Sequence, residues 1–289
     1  MVTVRPGLRG RLAGAAAALL LSLPAAALPP DAAWTLRHPA DPVAFHGAGL
    51  SGQADGMSVN MMYPAPSLAG LVAAVLTHAA LNEGTRNQRT KEAQAEADRV
   101  LEPLQDQVQS LSHAELMRLA LEAIPGSGAT GIGTTAPAAS GWQVSSTPVF
   151  YLTQDRRALI LDNTIGVFPP GESARPSYTT TVRVVSRPHA EEDPLPAWKE
   201  QLKPESARLL AHSLVLALRD ARRTAAGEAA PYRTLRYFQG PVEKVERAQP
   251  VEAWCERVVI RTLRGWLLSA PVRPPADAAP CDPGELVRN

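Results

Sequence analysis

The chain has 289 residues, and its 29 Lys plus Arg against 28 Asp plus Glu give a formal net charge of +1. A nearly neutral chain has no whole-protein field to gather phosphate backbones or an acidic lipid surface, so nucleic acid is not an expected partner. Alanine and proline are abundant and the bases are mostly arginine, a composition expected of a GC-rich bacterial genome.

The first 27 residues read as a secretory signal peptide. Arg5, Arg9 and Arg11 precede the apolar "AAAALLLSL", and Pro24 with the small residues Ala25 and Ala27 follows it, which places cleavage after Ala27. The apolar run is shorter than the roughly 20 residues a spanning helix needs. No cysteine follows it closely, so a lipid anchor there is not expected. Removing this segment takes away three arginines and no acids, leaving 26 basic against 28 acidic side chains. The protein is therefore expected to be exported, periplasmic or envelope-associated. About 260 residues then allow one large domain or two small ones.

Residues 28–124 are expected to hold a strand pair and a helical region. "VAFHGAGLSGQADGMSVNMMY", Val43 to Tyr63, reads as two weak strands around an Asp55-Gly56 turn. The stretch Ser67 to Val100 begins apolar and turns charged. On a helical wheel Leu68, Leu71, Val72, Val75 and Leu76 form a bulky face, while Gly70, Ala73, Ala74 and Thr77 lie on a small one, with His78 inside the same run. Small residues three or four apart let another backbone approach closely, which makes Gly70, Ala73, Ala74, Thr77 and His78 the candidate interaction residues. Three occupants stay open for this surface: the protein's own core, a partner or second copy, and a shallow membrane insertion. Membrane contact is the weaker choice, because Leu68 to Leu81 would span only about 21 Å of a hydrocarbon layer about 30 Å thick. Further on, "LQDQVQSL" after Pro103 and "SHAELMRLALEAI" read as helices, the second opened by a Ser112/Glu115 capping box.

"PGSGATGIGTTAPAASG", residues 125–141, has the composition of a flexible linker. Its "GSGATG" matches G-x-G-x-x-G formally, yet a helix precedes it and no helix follows, so no dinucleotide is expected. Residues 142–289 change to period 2: "TPVFYLT", "RALILDNTIGVF", "YTTTVRVVS", "TLRYFQG", "CERVVIRTL" and "GWLLSAP" read as strands, the last two turning at Arg264-Gly265. Between them "KPESARLLAHSLVLALRDARR" is the clearest helix, with Pro204 suited to its first turn. The fold class expected is α+β: an N-terminal helical hairpin or short bundle, joined by a Gly/Pro/Ala-rich linker to a largely antiparallel sheet with one long packed helix.

The two cysteines, Cys255 and Cys281, both fall in the exported part. An isolated pair in an oxidising compartment is expected to form one disulfide, here tethering a proline-rich tail. No nucleophile, metal or cofactor signature stands out. "GAGLSGQ" around Ser51 lacks G-x-S-x-G spacing. "HAEED" from His189 reads as a solvated loop rather than a cation site; His113 is expected to be exposed, and His212 to be partly buried with a local hydrogen bond. The function expected is a non-enzymatic interaction or assembly factor of the bacterial envelope, using residues 67–84 as a packing or docking surface. The alternative is a periplasmic hydrolase or small-ligand carrier with a site built from dispersed residues.

Overall fold

The computed structural model describes residues 28–29, 32–49, 90–124, 126, 128–134, 141–171, 175–191, 193–223, 230–254 and 257–272. They form a mixed α+β fold. The strands are β1 (Trp34–Arg37), β2 (Ala44–Gly47), β3 (Ala129–Gly133), β4 (Trp142–Leu152), β5 (Leu159–Phe168), β6 (Tyr178–Val185), β7 (Arg233–Gln239), β8 (Val242–Trp254), β9 (Arg257–Thr262) and β10 (Leu267–Pro271). Residues 90–98 are helical (α1), followed by a 3-10 turn at Arg99–Leu104, α2 (Gln105–Gln109), α3 (His113–Glu122) and α4 (Leu195–Arg223).

One ten-stranded sheet runs in the order β3-β1-β4-β5-β6-β10-β9-β8-β7. The eleven-residue β4 is long enough to hold two short strands end to end along one side: β1 pairs with its first half and β2 with its second, both parallel. On the other side β5 pairs with it antiparallel, from Gln143↔Phe168 to Leu152↔Leu159. The largely antiparallel expectation holds for β4-β5-β6 and for β10-β9-β8-β7, but β10 joins β6 in parallel, and β3 joins β1 in parallel. Which strands meet in parallel depends on crossovers that no local pattern encodes.

The segment expected to be a linker is corrected in part: Ala129–Gly133 is an edge strand. Gly128 shows why glycine is required beside it. With φ +76°, a Cβ there would come within 2.9 Å of the Ala32 carbonyl oxygen. The same strand ties the N-terminal helices to the rest, because α3 packs on both β3 and α4 and contributes Leu116, Met117 and Ala120 to the main core.

Helix α4 organises that core. It crosses β5 and β6 on one face of the sheet and carries α3, α2 and the 3-10 turn on its back. Its middle is accordingly buried at six successive positions, Leu209 through Leu214, as expected of a helix covered on all sides. It starts at Leu195, two turns before the expected start, so Pro204 lies inside it and not in its first turn. The Asp193 carboxylate accepts the Leu195 N–H (3.1 Å) and Trp198 is fully buried, its indole N–H donating to the Arg156 carbonyl. Proline at position 204 removes one intrahelical hydrogen bond, and the helix tolerates it on its exposed side.

The other face of the sheet is closed at one end by the β7–β8 hairpin. Tyr237 packs with Ile160, Val185, Val258, Ile260 and Leu268, and the turn glycine, Gly240, sits beside Asp155 and Ala158 of the β4–β5 turn. A bulge between Pro250 and Glu252 bends β8; proline, which has no N–H to offer the ladder, is suited to such a place. Beyond the bulge Glu252 reaches back to Arg219 (2.9 Å) and Arg223 (2.7 Å) of α4.

Candidate functional site

The residues singled out for interaction, Gly70, Ala73, Ala74, Thr77 and His78, lie outside the described residues, as do Cys255 and Cys281. The residues that precede 50 and follow 89 in sequence are described, and they meet. The last residue of β2, Gly47, lies so close to α1 that a Cβ on it would stand 1.8 Å from the Ala97 carbonyl oxygen. Only glycine fits this approach. The Asp98 carboxylate accepts the Gly47 N–H (2.8 Å) and a Gln94 amide N–H (2.7 Å), and Gln94 also donates to the Gly47 carbonyl (3.1 Å). From the β4–β5 turn, the Gln154 amide donates to the carbonyls of Ala48 (2.8 Å) and Ala97 (3.0 Å), one on each flank. His46 completes the knot, 3.5 Å from Asp98 through Nδ1 and tilted over Tyr151 with ring centres 5.8 Å apart. Burial, and next the Asp162 carboxylate, push the Tyr151 phenol pKa up.

Nothing local in the sequence joins Gly47 to Gln94, Asp98 or Gln154. The available signal was the glycine in "AFHG" at the end of a β-branched and aromatic run, and it does not name a partner 51 residues away.

Three buried polar groups join α4 to the sheet. In the first, the Ser146 hydroxyl donates to Asn163 Oδ1 (2.9 Å), the Asn163 amide donates to Ser213 Oγ (2.9 Å), and Ser213 donates to the Leu210 carbonyl (2.7 Å). All three side chains are fully buried and all are paired. In the second, Arg257 donates to the carbonyls of Val185 (2.7 Å) and Ser269 (3.0 Å) and to Ser269 Oγ (3.3 Å). Ser269 Oγ also meets His212 Nε2, 2.9 Å away. His212, expected to be partly buried, is 5 % exposed, and this contact is long-range, to β10. Burial pulls the Arg257 pKa down to about 9; the Arg208 charge adds to the shift and Glu205 opposes it. The guanidinium therefore stays charged at neutral pH, solvated by carbonyls in place of a carboxylate. A serine hydroxyl held against a histidine beside a cation is the arrangement a nucleophile needs. Here Ser269 is 0 % exposed, so the group acts as a structural tie.

In the third group the buried Asp220 accepts from the Tyr178 hydroxyl (2.6 Å) and pairs with Arg261. Burial first, and then the hydrogen bond and charge of Asp220, push the Tyr178 pKa far up, so the phenol is a fixed donor and not an acid–base group. A small recess beside it, between α4 and β8–β9, is lined by Arg219, Asp220, Arg223 and Glu252, whose charges are already paired with one another or with Arg261.

The described histidines do not gather in one cluster. His189 contacts Glu191 (3.3 Å) and meets Trp198 edge-on, with ring centres 4.5 Å apart. His113, expected to be exposed, is 6 % exposed: the loop between β1 and β2 lies over it and stacks His38 on its ring. Among the described residues no three or more His, Cys, Asp or Glu side chains gather as a metal site requires, and no described helix is long and apolar enough to cross a membrane. The chain matches no protein-family model, no curated protein and no solved structure.

Proposed function

We propose that this chain is an exported protein of the bacterial envelope that acts as a non-enzymatic interaction or assembly factor. Its α+β body carries residues 50–89 as a docking element, and the Ala/Gly-rich face at Gly70, Ala73, Ala74, Thr77 and His78 meets a partner chain or a second copy. One observation carries this reading: the two flanks of the segment are locked to each other at Gly47 and Ala97–Asp98. An excursion whose ends the body already holds together adds only a loop-closure cost that grows slowly with length. The fold then makes little demand on the residues between, and their small-sided helical pattern has another use.

The second reading, a hydrolase, has the Ser269–His212 contact in its favour and the complete burial of Ser269 against it. Gly70→Leu and Ala74→Leu separate docking from core packing. With a photoreactive residue at Ala73, the proposal expects a discrete crosslinked species in cells that either variant abolishes while the denaturant midpoint holds. Retained crosslinking, with a midpoint lowered by the ~1–3 kcal/mol that overpacking costs, would assign this face to the protein's own core.

A further inference from the structure

We infer that the contact between the β1–β2 loop and the N-terminus of α3 is an acid-operated clamp, closed while His113, stacked on His38, is neutral and parted when His113 takes up a proton. His38 and His113 stack with ring centres 5.8 Å apart and planes 24° apart. His113 is the first residue of α3, directly after the Ser112 cap that accepts the Glu115 N–H (3.2 Å). A cation there faces the positive end of the helix dipole.

His113 Nδ1 is buried and has no hydrogen-bond partner among the described residues, so a proton added there meets no described acceptor. His38 Nδ1 lies 2.7 Å from the Pro39 carbonyl oxygen, which fixes that nitrogen as the N–H and holds the ring in place. Charge on either ring repels charge on the other.

Among the described residues the groups around His113 are few. From the loop stand His38 and Asp41, with the Pro42 carbonyl; β3, packed on α3, carries no titratable side chain; and α4 presents Lys203, whose ammonium is held by Glu115 at 2.9 Å. Burial, and next His38, lower the His113 pKa below its ordinary 6.5 against the opposing pull of Pro42 and Asp41. The sign follows directly. The opened form binds the proton more tightly than the closed one, so the clamp is at full strength above pH 6.5 and weakens as pH falls below it.

The loop leads straight into β2, and α3 follows α1 and α2, so the clamp joins the two flanks of residues 50–89 at a second point. The clamp itself does not depend on what those residues bind.

Amide exchange, expressed as protection factors, and ring NMR of His113 test it on the whole protein. Between about pH 7 and about pH 5, protection in the first turns of α3 should fall relative to α4. The expected fall is up to roughly tenfold for each pH unit over which the ring is neutral when closed and charged when open. The His113 ring should titrate below 6.5, and His113→Phe, or His113→Gln if the first variant does not fold, should remove the extra acid loss. A ring that titrates at or above 6.5, or an undiminished acid loss in the variants, overturns the clamp.

Discussion

The contact between α4 and the sheet and the base of residues 50–89 both bury polar groups, and they do so differently. Under α4 the donors and acceptors form closed sets: Ser146, Asn163 and Ser213 are fully buried and each is satisfied, and Asp220 holds both Tyr178 and Arg261. At the base, two flanks far apart in sequence are joined by one carboxylate, two glutamine amides and a close backbone approach. His46 and Asp98 are more than a third exposed there, and at the nearby His38–His113 contact His113 Nδ1 has no partner among the described residues. A satisfied buried network specifies one packing and is costly to open, whereas a half-exposed one opens for less. The molecule thus pairs a rigid seam with a yielding one, and the yielding seam stands where the candidate docking segment is attached.

The largest effect is expected from breaking the rigid seam. Asp220→Ala leaves the Tyr178 hydroxyl and the Arg261 guanidinium without their shared acceptor and should cost about 3–5 kcal/mol, the loss typical of one partner removed from a buried pair. Denaturant melts should show a single transition moved to lower midpoint, because the seam holds α4 to β6 and β9 at once. A loss below ~1 kcal/mol would mean that solvent already screens the group, and the contrast between the seams would go with it.

A smaller and more local effect sharpens the comparison from the other side. Gly47→Ala must push β2 and α1 apart, since its Cβ has only 1.8 Å to the Ala97 oxygen. Overpacking of this kind costs about 1–3 kcal/mol. Exchange protection should drop in 44–47 and 90–98 while α4 keeps its own. Equal losses in both regions would show that the base and the α4 seam open as one unit.

The sequence announces some of these parts and hides others for identifiable reasons. The leucine spacing of α4, the Ser112 cap of α3 and the Arg264-Gly265 turn, where Gly265 has φ +80° and donates to the Thr262 carbonyl, are local patterns with local causes. Pro204 imitates a first turn, while the true signals for the start of α4 are Asp193 and the prolines at 194 and 196. Strand β8 shows no period-2 signal because its charges sit in adjacent pairs, Glu243-Lys244 and Glu246-Arg247, and Pro250 argues against a strand. In β3 the glycines leave little side-chain pattern to read. Of the candidate site, the small-sided stretch at 67–84 is legible as a pattern. The Gly47–Asp98 lock and the burial of His113 are not, because each is made by a segment arriving from elsewhere in the chain.

The central claim, that residues 50–89 are carried by the body and are not part of its core, is tested most directly by cutting them out. Replacing residues 52–87 with a short Gly/Ser linker long enough to rejoin Gly47 to α1 shortens a loop whose closure cost changes by only ~0.6 kcal/mol per doubling. The account predicts that the denaturant midpoint of the body changes by no more than that order and that the crosslink formed in cells is lost. A body that unfolds, or whose midpoint drops by several kcal/mol, would contradict it and place the Gly70–Thr77 face within the protein's own core.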